Sequence, residues 1–320
     1  MSVGSLLVKL KKHGVMGIVN RILDIPQIYK VSPVETLSEK HVDENIPQIY
    51  CLCGKKSITE ALWSLISFYR FSGVNWPLVV HGDGTLTTED IRILQKYFPY
   101  SKIITKQEAD EIMMPILRDY PLCRELRKRH VFGLRLMDSE KLSISRTRVN
   151  IDTDVLFFDR PDELLKAATE HDQPNVFNRE AGAEGYAIKG DDLVQFAGCN
   201  IPPEINAGLS VLRKDTFVLS ELEEMLESGA CSWDTYLQEQ TLTAICSVRK
   251  AGKKGITFLS EKYQCDTSQK LNEDAVARHY YILVRRQYYT EGLRRLVKGN
   301  YIQEWRSPMK NKENAHAFSG

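Results

Sequence analysis

The hydrophobic pattern between Ile46 and Thr105 alternates between two periods. Ile49 to Cys53 is an apolar run that reads as a strand, and Ser57 to Phe71 carries helical spacing, with Ser57 or Thr59 at its start. Trp76 to His81 is the next strand-like run. Thr87-Thr88-Glu89-Asp90 opens a helix that stops near Phe98-Pro99, and Lys102 to Thr105 is a short strand. This β-α-β-α-β order predicts a parallel sheet with right-handed crossovers. A mostly helical passage from Glu108 to Leu142 follows, then the run Arg148 to Phe158, rich in β-branched and aromatic residues, which reads as one buried strand. Beyond Pro161 the pattern is irregular, with short strands near Val176 and at Leu209 to Leu212, and helices at Asp215 to Glu227 and Asp234 to Ser247. The fold class is α/β, with a mainly parallel sheet flanked by helices.

The ends differ from this core. Residues 5–23 are amphipathic and basic, with Leu6, Leu7, Leu10, Met16, Val19 and Leu23 against Lys9, Lys11, Lys12 and Arg21, interrupted at Gly14. A helix packed on the main domain is the favoured reading, because any surface helix needs an apolar stripe; peripheral contact with an anionic membrane is the alternative. Ile-Pro-Gln-Ile-Tyr occurs twice, at Ile25–Tyr29 and Ile46–Tyr50, which is too short to mark a repeat fold. Residues 1–45 therefore read as an N-terminal helix and linker, 46–300 as the main domain, and 301–320 as a disordered tail, with Lys, Asn and Ser prominent after Trp305.

Composition narrows the function. A chain of 320 residues with 42% hydrophobic and 27% charged residues is globular, and a net charge of +1 with pI about 7.6 gives no reason to expect a nucleic-acid partner. Seven cysteines, an odd count, read as reduced core thiols. No run approaches the roughly 20 apolar residues of a membrane span, and no secretory leader is recognisable. A cytoplasmic location is the expectation.

One feature breaks the pattern. Asp152 and Asp154 interrupt the apolar run Arg148 to Phe158. Alternation along a strand points both to one side, with Thr153 opposite. At the carboxyl end of a strand in an open α/β sheet they would face the ligand crevice. Two hard oxygen ligands there suit a divalent cation that also holds phosphate oxygens. The plainer reading is a strand-end aspartate making the turn toward Pro161. A phosphotransfer aspartate of the haloacid dehalogenase type also uses Asp-x-Asp, but Leu156 stands where that pattern has Thr or Val. In His81-Gly82-Asp83-Gly84-Thr85-Leu86, which imitates the same pattern, His81 replaces the nucleophile.

In these residues the chain resembles the GT-A-fold nucleotide-sugar glycosyltransferases, of the broad group sharing the glycogenin and bacterial galactosyltransferase plan, over roughly Ile46 to Leu296. Asp152-Thr153-Asp154 is similar to that family's metal and ribose motif. Arg135, 17 residues upstream, falls near its basic residue for the nucleotide sugar. Ile205-Asn206-Ala207-Gly208-Leu209 resembles its Asn-x-Gly segment lining the donor-sugar pocket, and Glu239-Gln240 its acidic-Gln pair beneath the reacting sugar. His279 fits its third metal ligand. Where the family continues from that histidine through Gly to Lys-Pro-Trp, this chain reads Tyr280-Tyr281-Ile282-Leu283-Val284-Arg285, so Arg285 stands in the lysine position and Gly and Pro-Trp are missing.

The resemblance implies a Rossmann-like nucleotide-binding half at 46–160 fused to an acceptor half at 161–300. It also implies a Mn²⁺- or Mg²⁺-dependent transfer of sugar from a nucleotide-diphosphate sugar, UDP-sugar foremost, to a hydroxyl acceptor. Catalysis would fall to Glu239 and Gln240; metal to Asp152, Asp154 and His279; substrate to Arg135, Asp152, Asn206, Gly208 and Arg285. An imidazole ligand favours Mn²⁺ over Mg²⁺. If Glu239 deprotonates the acceptor the anomeric carbon inverts, whereas if the departing phosphate takes the proton it is retained; the family leans toward retention. Glu184 and Asp234 are spare candidate bases.

Each of these residues also has an ordinary reading. His279 can be a surface histidine, Arg135 a solvated charge beside Arg124, Arg127, Lys128 and Arg129, Asn206 and Gly208 a turn before a strand, and Glu239 an exposed helix position. Two other functions stay open: a non-catalytic nucleotide-sugar-binding or scaffold protein of the same fold, and a nucleotidyltransferase. The latter expects a Gly-rich basic loop near the start, for which Cys53-Gly54-Lys55-Lys56 is the nearest match.

Overall fold

The architecture follows from strands that are buried along their whole length. The computed structural model describes residues 15, 19–20, 22–38, 40, 43–180, 185–188, 190–229, 237–252, 255–268 and 270–309. Their strands are β1 (Gln48–Cys53), β2 (Leu78–Gly82), β3 (Lys102–Ile104), β4 (Thr147–Ile151), β5 (Val155–Phe157), β6 (Val176–Arg179), β7 (Ile205–Arg213), β8 (Thr257–Phe258), β9 (Tyr263–Gln264) and β10 (Ala277–His279). Seven form one sheet in the order β3-β2-β1-β4-β7-β6-β8. All of its pairings are parallel except those of β7 with β4 and β6, so a single strand runs against the rest. Every residue of β2, β4 and β7 is buried, as expected for strands covered on both faces. The α/β class and the parallel β1-β2-β3 half are as the sequence pattern predicts.

Local chemistry sets the helix ends. Helix α1 (Ile58–Ser72) stops at Gly73, whose φ of +70° is the left-handed conformation that closes a helix. Helices α2 (Thr88–Tyr97) and α3 (Lys106–Ile116) each open with a reciprocal cap, Thr87 with Asp90 and Thr105 with Glu108. Thr105 is therefore a cap, not the last residue of a strand. Two apolar layers sandwich the sheet. One gathers α1 with Val149, Ile151, Leu209 and Val211; the other gathers Phe177, Ile205 and Leu212 with Leu242 and Ile245 of α4 (Leu237–Ala251).

Several expectations need correction. The run Arg148 to Phe158 is not one strand: it breaks at Asp152-Thr153-Asp154, and β5 leaves the large sheet to pair with β10 in a second sheet ordered β5-β10-β9. A carboxylate pair cannot continue a fully buried ladder without a cationic partner at each rung. Asn206 and Gly208 lie inside β7, not in a turn ahead of it. The helix expected from Asp215 starts at Leu219, since Asp215 takes φ +60°. Residues 301–309 are not a disordered tail: α5 (Leu293–Lys298) leads to α6 (Tyr301–Glu304), and Ile302 and Trp305 are buried in the core. The linker also belongs to the core through Ile28, Val31 and Val34. Arg70 ties the two ends together, donating to the carbonyls of Ser32 (2.9 Å), Trp305 (3.0 Å) and Ser307 (3.0 Å). Among the described residues no helix is long and apolar enough to cross a membrane.

Trp305 packs edge-on against Phe71, with ring centroids 5.6 Å apart. Trp305→Ala should cost about 3–5 kcal/mol, read as a lower urea midpoint with unchanged slope. A silent substitution would show that the segment does not belong to the core.

Candidate active site

The site forms where the sheet changes direction. β1 pairs with β2 on one side and β4 on the other, so the carboxyl ends of β1 and β4 border the crevice in which open α/β sheets place ligands. Asp152 follows β4 directly, its N–H donating to Gly208 O (2.8 Å) and its carbonyl accepting from the Ser64 hydroxyl (3.0 Å). The chain then turns into β5, and the antiparallel register of β10 on β5 sets His279 opposite Val155. Tyr280 N–H donates to Asp154 O (2.9 Å), which locks that register. One ligand atom from each of Asp152, Asp154 and His279 thus lies within 4.8 Å of the others, the one such convergence among the described residues.

The donor set fits a divalent cation. His279 Nδ1 sits 2.8 Å from Asn206 Oδ1, which also accepts from Gly208 N–H (3.0 Å). An amide oxygen can only accept, so Nδ1 carries a proton and Nε2 faces the carboxylates. Nε2 is 3.2 Å from Asp154 Oδ1 and 3.9 Å from Asp152 Oδ2. A neutral imidazole would aim its lone pair at two anions, so the arrangement needs a positive charge at that point. Burial would push the imidazole down, but the Asp154 carboxylate overrides it and holds His279 well above its usual value. In Asp154, burial is likewise overridden by His279 and Arg285, and the carboxyl lies below its usual range. A proton on Nε2 here occupies the place a metal ion would fill. Two carboxylates and one imidazole make a mixed oxygen and nitrogen donor set for a divalent ion.

Two arginines complete the neutralisation. Arg285 Nη1 donates to Asp154 Oδ2. Arg135, delivered by a π-helical turn at Leu134–Asp138, donates from Nη1 to Asp152 Oδ1 (2.5 Å), from Nε to Glu239 Oε1 (3.1 Å) and from Nη2 to Glu239 Oε2 (2.5 Å). Burial would weaken its charge, but Asp152 and Glu239 hold its pKa raised. Gln240, half-buried, accepts from Ala207 N–H (3.3 Å) and donates to Gly185 O (2.8 Å).

The candidate residues therefore converge on one crevice. Arg135, His279 and Glu239 are buried, not solvated. Even Arg127, taken with its neighbours for a wet face, is buried, with Nε 2.7 Å and Nη2 2.7 Å from the Asp138 carboxylate. His81 is buried against Asp138 (2.9 Å) and belongs to that structural network, not to a phosphotransfer motif. Glu184 and Asp234 lie outside the described residues. Glu180 was not anticipated: its Oε2 accepts from Asn206 Nδ2 (2.8 Å), orienting the amide that orients His279. Only the β6–β7 register, Arg179 opposite Ile205, brings it there. A cleft of about 730 Å³ lies at the other end of the sheet around Thr147, Asn175, Arg213 and Lys250. Arg213 there donates to carbonyls of Ala167 (2.7 Å) and Gln173 (3.0 Å), and no metal-capable group of three converges.

No family model and no curated protein matches the sequence. Solved structures do. The galactosyltransferase LgtC, in complex with donor and acceptor sugar analogs, aligns at TM-score 0.52 and 12% identity, over 81% of this chain and 95% of its own. The apo bifunctional glycosyltransferase WbbM aligns at TM-score 0.53 and 14% identity, over 84% of this chain and 53% of its own. The chain has the GT-A fold. At these identities the likeness establishes the fold alone.

Gly208 is a test of that cluster, because a Cβ there would stand 2.3 Å from His279 Cε1 and 2.9 Å from Asp152 Oδ2. Gly208→Ala should weaken Mn²⁺ binding about 10–100-fold, read by calorimetry, with the circular dichroism spectrum unchanged. In the unaltered protein a bound Mn²⁺ would compete with the proton for Nε2, so affinity should rise with pH and protons should be released on binding. PH-independent affinity would remove His279 from the site.

Proposed function

We propose that the protein is a metal-dependent glycosyltransferase, moving a sugar from a nucleotide-diphosphate sugar, UDP-sugar foremost, to a hydroxyl acceptor. The convergence of Asp152, Asp154 and His279 at the switch point of a GT-A sheet carries this reading. Mn²⁺ held by these three side chains would supply Lewis-acid stabilisation of the charge on the departing diphosphate. Arg285, on the second oxygen of Asp154, is a partner for a phosphate oxygen, which a guanidinium can grip bidentately. Arg135 holds Asp152 from behind and keeps the nucleotide-facing carboxylate oriented.

Glu239 has both oxygens engaged by Arg135, and Oε1 also accepts from Thr243 (3.2 Å). A carboxylate tied this way is a poor proton acceptor for an incoming hydroxyl. That supports retention: the acceptor oxygen bonds to the anomeric carbon on the face the diphosphate leaves, and the departing phosphate oxygen takes the acceptor's proton. Gln240, anchored at both ends of its amide, suits rigid support beneath the sugar. The free cysteines among the described residues support a cytoplasmic setting.

With Mn²⁺ and a panel of nucleotide sugars, the protein should slowly release nucleoside diphosphate even without acceptor. Asp154→Asn should lower that release at least about 100-fold, roughly 2.7 kcal/mol of barrier, while its thermal midpoint shows it folded. No binding or hydrolysis of any sugar nucleotide would end this reading.

A further inference from the structure

The described helical residues near the N-terminus turn their polar side inward. Val15, Val19, Asn20 and residues 22–24 are helical, and the side that meets the body is the polar one. Asn20 and Asp24, one turn apart, are buried. Asn20 Nδ2 donates to Tyr289 O (3.3 Å), and Arg294 Nη1 donates to Asn20 Oδ1 (3.0 Å) and lies 3.6 Å from Asp24 Oδ2. The apolar residues point outward: Val15 is 66% exposed, Val19 40%, Ile22 66% and Leu23 56%. Their spacing of four, three and one residues makes a single stripe on an α-helix. A surface helix ordinarily buries that stripe, so an apolar face left in water while the polar face is docked marks an interaction surface.

Charge selects the occupant. Residues 1–23 contain no Asp or Glu but include Lys9, Lys11, Lys12 and Arg21. Asp24, the first acid of the chain, is turned inward to Arg294. A second copy of this chain would bring two basic segments together, which like-charge repulsion opposes. An anionic bilayer meets both requirements, receiving the stripe among its acyl chains and the lysines at its phosphates. We propose that this helix docks the protein on an anionic lipid surface through Val19, Ile22 and Leu23.

The helix leans on Tyr289, in the same π-helical turn, Tyr288–Gly292, that follows Arg285. Docking would therefore bring the crevice close to the lipid surface without placing any of these side chains in the catalytic machinery.

The test is co-sedimentation of the full chain with vesicles of equal parts phosphatidylglycerol and phosphatidylcholine, beside vesicles of phosphatidylcholine alone. The protein should pellet with the anionic vesicles only, and binding should weaken as salt shortens the range of the lysine charges. The double variant Ile22→Glu, Leu23→Glu should lose at least about ten-fold in partitioning, with nucleoside diphosphate release unchanged. Full chain left in the supernatant with anionic vesicles, or a variant that pellets like the unaltered protein, would overturn the proposal. So would a dimer by light scattering that the variant converts to monomer, because a second copy would then cover the stripe. The readout is lipid binding, so its failure leaves the sugar-transfer reading untouched.

Discussion

Two carboxylates held close together and mostly out of water demand positive charge, and the arrangement of the site follows from that demand. Asp152 and Asp154 are answered from three directions: His279 from the small sheet, Arg285 from the segment after it, and Arg135 from the π-helical turn ahead of β4. None of these is a sequence neighbour of the pair. Removing Arg135, or both His279 and Arg285, would leave a carboxylate short of positive charge in a largely buried site, which is costly.

The small sheet is best understood as the device that meets this constraint. Strands of two or three residues add little stability by themselves. What β5 and β10 provide is register: Val155 against His279, with the next backbone bond running from Tyr280 to Asp154. A shift of one residue would turn the imidazole to the opposite face. The ring is further fixed through Asn206 and then Glu180, a chain that sets which nitrogen is free. Gly208 leaves the room for it, since any side chain there would overlap the His279 ring. Strand register, glycine and amide thus act on one atom, Nε2.

How much of this was readable in advance depends on the distance over which each feature is encoded. Helix α2 announces itself through Thr87 with Asp90, three residues apart, and the alternation from β1 to β3 has a clear period, whereas Thr105, read as the end of a strand, proves to cap α3 with Glu108. The aspartate pair was visible because it contradicts its apolar surroundings. The break of the strand at that pair was not, because β-branched residues continue on both sides and the change of sheet is decided by β10, more than a hundred residues later. Strands β8 to β10 are too short to carry a period. Trp305, in a stretch ending in polar residues, looked like the edge of a tail; only its packing on Phe71 makes it core. Glu180 had no local signal at all, since a bulge between Phe177 and Asn178 and the pairing with β7 are what aim it.

The position of the cluster also couples chemistry to architecture. Asp152 is bonded through its backbone to Gly208 in the large sheet, while His279 ends β10 of the small one. A cation gripped by both would bridge the two sheets at the Asp152-Thr153-Asp154 turn, one of the places where the chain passes between them. The two arginines and His279 supply positive charge at the same junction. Any ligand that binds the folded chain alone adds its binding energy to stability. Here that energy would fall on the junction between the sheets, the place where an incoming diphosphate would also have to be held still.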